Sequence, residues 1–367
     1  MKELTSRERL RRCFWHEELD RPAVYVRWGG METDTDPTYA EMKRLVLSKT
    51  DLKIPWDAGT LIEQYAQPRS TEPYDDGFDR VVSVLPTAKG DLVRKDFVGR
   101  QGQPGFCEEH FLKSFDDCEK YLMLPLPQIQ GDCAPFFRAI QKIGERGIVD
   151  VCLPSNPAGA VVELMGSEHF ALMSTDARDL VHRLIERECR ILCSLVRYLL
   201  ERGVGPFFSF SGQEYIVPPL HGRRDFFDFN VPNDSRVTDM IHAAGGRVHV
   251  HCHGSIGTLL DGFVELGADV LHPFEAPPMG DVSPRGAKEA LAGRVTFEGN
   301  IQIADMYGAQ PQDIRAQVHT LVREVFFDRE GLIICPTASP YRVGEGELCR
   351  RNYEAMIEEV LSPGSSR

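Results

Sequence analysis

The chain has 367 residues, of which 42% are hydrophobic and 26% charged, an ordinary balance for a globular protein with a full apolar core. Its formal net charge of −13 argues against a nucleic-acid or anionic-membrane surface and favours small-molecule chemistry. The ten cysteines stand singly with no CxxC, so the sequence reads as a chain of a reducing cytoplasm, its cysteines mostly buried as small apolar groups.

The start, MKELTSRERLRRCFWHEELDRP, lacks the apolar core of a signal peptide, and no run approaches 18 apolar residues. The first strand is expected at AVYVRW (23–28) and a weaker second at DLKIPWD (51–57). Residues 80–99 alternate around a turn at Lys89-Gly90 and read as a hairpin, part of an antiparallel insertion over about residues 70–115. From residue 148 the rhythm is regular. Strands are expected at IVDVCLP, GPFFSFSG, RVHVHCHG, DVLHPFE, RVTFEGN and GLIICPT, each followed by a helical pattern. Asp176 is the expected cap of the long helix that ends near Gly203.

Eight strands, nearly all followed by helices, imply parallel pairing with right-handed crossovers. The expected fold class is therefore α/β, a closed (β/α)8 TIM barrel carrying the hairpin insertion, with residues 1–367 as one domain. An open doubly wound sheet fits less well, since WGGMETD after the first strand does not match the GxGxxG phosphate turn.

The stretch VHVHCHG (248–254) carries the chemistry. Alternation puts His249, His251 and His253 on one face of the fifth strand, and Val248, Val250 and Cys252 on the other. Valines and a cysteine suit the helix-packed outside, so the imidazoles are expected inside, His253 nearest the C-terminal mouth and His249 deepest. Histidines at i and i+2 on a strand end suit a metal such as zinc, and Glu275 and Cys335 end the sixth and eighth strands nearby. The plainer reading is a set of hydrogen-bonded polar residues in an ordinary pocket. Arg27, Asn156, Ser211, Gln213, Glu214, Tyr215, Glu298, Asn300 and Tyr341 also fall at or just after strand ends. Asn300 either supports a loop or contacts a ligand, and Glu298 is expected to pair with a core group such as one of the histidines.

Several pieces in order resemble the uroporphyrinogen decarboxylase superfamily, which includes zinc-dependent, corrinoid-linked methyltransferases. They are TSRERLRRCFWHEELDRPAV, GAVVELMG, SFSGQEYIVPPL, FNVPNDSRVTDMIHAAGGRVHVHCHG, LGADVL, GRVTFEGNI and GLIICPTASPY, the last followed by Asn352-Tyr353. The likeness is patchy before about residue 150. The decarboxylases carry a first-strand pattern similar to RQAGR. Here Val26-Arg27-Trp28-Gly29-Gly30 keeps Arg27, but Met31 or Glu32 replaces the second arginine, and Thr337-Ala338-Ser339 stands where they carry Gly-His-Gly. The methyltransferases carry His-x-Cys-Gly on this strand, a glutamate on the next and a late cysteine. The resemblance maps His251, His253 and Glu275 onto the first three positions, while the late cysteine falls near Ala338, three residues after Cys335. It implies a zinc site of His251, His253, Cys335 and Glu275. It further implies catalytic roles for Glu275, Arg27 and Tyr215, substrate contacts from Gln213, Glu214, Asn156, Asn300 and Tyr341, and a separate corrinoid protein as partner. Fewer thiolates make a harder Lewis acid, which suits an ether or other small methyl donor better than a thiol. The alternative is a metal-free carboxy-lyase acting on a tetrapyrrole or other polycarboxylate. Monomer and homodimer are both open.

Overall fold

The computed structural model describes residues 3–28, 31, 34–100, 104–291 and 293–362; Gly29, Gly30 and Glu32 lie outside them. Twelve strands are described: β1 (Ala23–Val24), β2 (Leu52–Asp57), β3 (Arg69–Pro73), β4 (Phe78–Leu85), β5 (Leu92–Gly99), β6 (Phe106–Glu109), β7 (Gly147–Cys152), β8 (Phe207–Ser211), β9 (Arg247–His251), β10 (Val270–His272), β11 (Thr296–Ile301) and β12 (Leu332–Pro336). Eight form a parallel sheet in the order β1-β12-β11-β10-β9-β8-β7-β2, and β3 to β6 form a separate antiparallel sheet. The eight parallel strands are the eight expected from the βα rhythm.

The expectation of a closed ring is corrected. Among the described residues no ladder joins β1 to β2, so the sheet curls round with two edges that face each other. The physical reason is that β1 is two residues long and offers almost no edge to pair. Asp51, just before β2, spans the seam instead. Its N–H donates to the Val24 carbonyl at 2.8 Å, and its carboxylate accepts the Val24 N–H at 2.9 Å. That carboxylate is fully buried and also takes Arg9 at 2.7 Å and Arg21 at 3.0 Å. Arg9 reaches Asp20 as well, at 2.7 Å. One backbone hydrogen bond and a buried charge network thus join the edges where a full ladder does so elsewhere in the sheet.

The antiparallel sheet contains the expected hairpin as β4 and β5, extended by one strand on each side. It is anchored by a second apolar cluster, in which Leu85 and Leu92 pack with Phe111 of the following loop and with Val161, Phe170 and Ile185 from the helices beside the main sheet. Asp176 does not cap the long helix. It ends a helix of its own, Ser167–Asp176, and the long helix Arg178–Leu200 starts after Ala177 with no side-chain cap. Its eleven buried residues along one face carry it without one.

Removing the seam carboxylate should be costly. Asp51→Ala leaves Arg9 buried with one partner fewer and Val24 N–H without its acceptor, and the expected loss is about 3–5 kcal/mol in urea unfolding. Glu119→Ala, which breaks the exposed Arg183–Glu119 pair, serves as the control and should leave the unfolding midpoint unmoved. Equal effects of the two substitutions would refute the seam role.

Candidate active site

In a parallel sheet, residues paired in register share a face, and the pairing here sorts the interior. Ser209 pairs with His249 and His249 with Val270; Ser211 pairs with His251 and His251 with His272. Val248, Val250 and Cys252 are fully buried in the apolar layer under the helices. His249 and His251 point the other way and line a cavity of about 220 Å³ together with Tyr25, Arg27, Asp150, Ser209, Ser211 and Ser339. This interior is charged and hydrogen-bonding where a barrel core is usually branched and apolar.

Its deepest charges are Lys53 on β2 and Glu298 on β11, both buried, with Nζ 2.5 Å from Oε2. The ammonium also sits 4.6 Å from the centre of the Tyr25 ring. Burial alone would raise the Glu298 carboxyl. The Lys53 charge, followed by the His249 ring, overrides burial and holds it well below the usual carboxylate range. The other oxygen, Oε1, has no hydrogen-bond partner, and neither has either nitrogen of His249. His249 Nε2 lies 3.5 Å from that oxygen, a charge contact too long for a good hydrogen bond. His272, the register partner of His251, completes the group. Its Nδ1 lies 2.8 Å from His251 Nδ1, and its Nε2 lies 3.2 Å from the Pro336 carbonyl. Burial first, then neighbouring positive charge, pushes His251 and His249 below the ordinary imidazole value, and burial does the same to His272. These shifts favour the neutral form of each ring; both nitrogens of His249 are unengaged, whereas both nitrogens of His272 are in contacts, Nδ1 with His251 and Nε2 with the Pro336 carbonyl.

Among the described residues, His249, His272 and Glu298 are the three whose ligand atoms lie within 4.8 Å of one another. Donors around a tetrahedral zinc with bonds of about 2.0–2.2 Å stand about 3.5 Å apart, which the His249–Glu298 separation matches. The orphaned nitrogens of His249 beside the orphaned Oε1 of Glu298 fit such an ion, and His272 would join it by giving up one of its two hydrogen-bond contacts.

The donors named from the sequence fall in three places. His251 pairs with His272. His253, 39% exposed, stands at the mouth with Nδ1 3.0 Å from Glu275 Oε2. The Glu275 carboxylate is itself buried and also takes Gln302 Nε2 at 3.2 Å. Burial would raise that carboxyl, but the His253 contact wins and holds it below its usual value. Cys335 is fully buried; its thiol donates to the Pro336 carbonyl at 3.2 Å, and burial pushes it well up. Of the other candidates, Asn300 donates to the Phe274 carbonyl at 2.6 Å, and Tyr341 is exposed with its ring 5.3 Å from Tyr307. Glu214 accepts the Gly212 N–H at 2.9 Å, and half-buried Tyr215 packs on the second apolar cluster. His272, Lys53 and Asp150 are functional candidates that the sequence reading missed. His272 matters only through its register with His251, which nothing in its own strand marks.

Asn156 and Gln213 sit away from the cavity in a buried polar knot. Asn156 Oδ1 accepts the Gly159 N–H at the start of helix Pro157–Met165, and its Nδ2 reaches Asn230 at 2.8 Å and Asp234 at 3.1 Å. Gln213 Nε2 donates to Asp234 Oδ2 at 2.8 Å, leaving its own Oε1 unpartnered. Burial pushes Asp234 up to about 7 against the pull of the two amides.

The folded protein therefore holds a proton on Asp234 that the unfolded chain releases near the ordinary aspartate value of about 3.9, so Asp234 costs stability increasingly as pH rises from about 4 to 7. Asp234→Asn should remove that slope, at most about 1.4 kcal/mol per pH unit. Unfolding free energies of the two proteins, measured by urea at pH 4 to 8, should diverge with rising pH in favour of the variant; parallel curves would exclude the effect.

No curated protein matches the chain. Among solved structures, a methyltransferase from Methanosarcina mazei is similar over 97% of this chain and 99% of its own, with a TM-score of 0.60 and 13% identity. D-psicose 3-epimerase from Clostridium cellulolyticum H10 is more distant, with a TM-score of 0.37 and 9% identity over 59% of this chain and 77% of that one. The likeness to the methyltransferase shows a shared fold across the whole chain. The family profile described as uroporphyrinogen decarboxylase (URO-D) matches residues 107–338, more than half of the chain, which places this protein in that enzyme family.

Proposed function

We propose that this protein is a methyl-transfer enzyme that holds zinc among His249, His272 and Glu298 and moves a methyl group between a small substrate and a corrinoid carried by a separate protein. The observation that carries the proposal is the partnerless donor set, with both nitrogens of His249 and Oε1 of Glu298 buried and unsatisfied at the floor of a cavity that His249 also lines. The fold shared with the Methanosarcina mazei methyltransferase supports it. The VHVHCHG strand also maps onto the metal strand of the methyltransferase branch, with His251 and His253 rather than His249 at its ligand positions.

Bound zinc would supply a Lewis acid that polarises the heteroatom carrying the methyl group. The chain's own residues prepare for this. Lys53 keeps Glu298 ionised with one oxygen turned to His249, and burial keeps the imidazoles neutral, as ligands must be. His251 holds the His272 ring through its Nδ1 contact. At the mouth, His253 and Glu275 form a hydrogen-bonded acid–base pair able to hold or pass a proton beside an entering substrate. A cavity of about 220 Å³ is too small for a corrin ring, so the corrinoid partner would meet the rim, where His253 and Tyr341 are exposed.

A second reading is favoured by Arg27, whose guanidinium has no hydrogen bond or ion pair among the described residues. In that reading the protein is a metal-free carboxy-lyase, with Arg27 stabilising a carboxylate and the charge that develops as it leaves. Elemental analysis decides between the two. Protein purified without added metal should hold about one zinc per chain. His249→Ala should lose it while His253→Ala keeps it, with thermal melting confirming that both fold. Loss in His253→Ala with retention in His249→Ala would move the metal to the outer set of His251, His253, Glu275 and Cys335. Absence of zinc from the native protein would end the methyl-transfer proposal in favour of the carboxy-lyase.

A further inference from the structure

The cavity holds two opposite charges that do not use each other. Arg27 follows β1 and Asp150 lies on β7, and both line the same 220 Å³ space. No hydrogen bond or ion pair joins them or engages either side chain among the described residues. Asp150 Oδ1 is buried and unsatisfied. Every other charge buried in the two networks described above has found a partner: Arg9 and Arg21 with Asp51, and Lys53 with Glu298.

A carboxylate and a guanidinium facing one small cavity would ordinarily collapse onto each other, since the attraction grows as the dielectric falls. The frame prevents it. Asp150 is fixed by the register of β7, where it pairs with Pro55 of β2, so β2 stands between it and β1. Two held-apart opposite charges with unsatisfied capacity are a complementary mould for a ligand that carries both signs. The volume sets the size. At about 30 Å³ for each water, 220 Å³ displaces about seven waters, a space for a ligand of roughly ten heavy atoms or fewer. The rest of the lining suits this ligand too. Ser209 and Ser211 on β8 add hydroxyls to the lining, and Tyr25, Trp28 and Phe210 add aromatic surface.

We infer that the cavity takes a small zwitterion, its carboxylate on the Arg27 guanidinium and its cationic centre on the Asp150 carboxylate. This names the substrate class of the proposed enzyme and rests on reading this cavity as the substrate site. Asp150 is the selecting residue. Arg27 alone would accept any small carboxylate, whereas Asp150 repels a simple anion and rewards a positive centre at the far end.

Isothermal titration calorimetry on the full-length protein, with no corrinoid protein and no methyl acceptor present, tests it with four probes: trimethylglycine, N,N-dimethylglycine, acetate and tetramethylammonium. On the native protein at least one zwitterion should bind about tenfold or more tightly than either single-charge probe. Between the two zwitterions, tighter binding of dimethylglycine shows that Asp150 takes an N–H donor, and tighter binding of trimethylglycine shows a charge contact shared with the aromatic rings; both support the mould. Asp150→Asn should weaken the zwitterion about tenfold and leave acetate no weaker. Arg27→Gln should weaken zwitterion and acetate together and spare tetramethylammonium. The inference is overturned if acetate binds as tightly as the zwitterions, if no probe binds, or if Asp150→Asn leaves zwitterion affinity unchanged. The probe comparison on the native protein stands alone should a variant fail to fold. Because the readout is binding and not turnover, a protein that binds zwitterions but carries no zinc keeps this inference and loses the methyl-transfer reading, and the converse result does the reverse.

Discussion

The Lys53–Glu298 pair is the contact on which the interior depends. It crosses from β2 to β11, strands that lie far apart in the sheet order and meet only through the curl. Two buried charges cost much to dehydrate and regain it only in close contact, so their 2.5 Å approach fixes how tightly the sheet curls. It also fixes a chemical state. With Lys53 on one oxygen, Glu298 stays ionised and its second oxygen is aimed at His249. An apolar pair of similar volume would hold the curl as well, but it would leave the histidines without an anion and the floor of the cavity without a charge.

The same logic of charge replacing backbone pairing recurs at the seam. A two-residue β1 cannot pair along β2, yet the chain past β1 has to turn Arg27 into the cavity. Asp51 resolves this by tying Val24 at one point and letting the following residues leave the ladder early. A longer β1 would have closed the ring and carried the arginine along a strand path. The opening in the ladder and the position of the free guanidinium are therefore one feature seen at two levels.

The alternation of VHVHCHG was legible because a strand's period of two is a local property: valines and a cysteine go under the helices, and His249 and His251 go inside. The eight strands were legible for the same reason. What depends on register between strands was not. His272 becomes important only because β10 pairs it with His251, and nothing within DVLHPFE marks that. Lys53 looked like a polar residue on a weak strand until its partner 245 positions away was known. In the opposite direction, Asn156 and Gln213 stood where substrate contacts are usually found, at strand ends. The space there is taken by a buried carboxylate, Asp234, which needs their amides more than a ligand would. Polar residues at strand ends serve either the cavity or the loops behind it, and a sequence position does not say which.

The interior polar groups form a gradient from floor to rim. At the floor, Lys53, Glu298 and His249 are buried, and the Lys53 charge lowers the Glu298 carboxyl. In the middle, His251 and His272 share a nitrogen–nitrogen contact, and burial pushes both rings below the ordinary imidazole value. At the rim, His253 is open to solvent and leans on Glu275. Water exclusion rises inward along the same line, so the proposed metal ligand and the proposed proton-exchanging pair would be chemically separate jobs placed a few residues apart on one strand. That separation argues for reading His249 and His253 as different in kind although they are the same residue in the same repeat. A buried imidazole with two unengaged nitrogens suits a metal, and one that meets water beside a carboxylate is placed to exchange a proton.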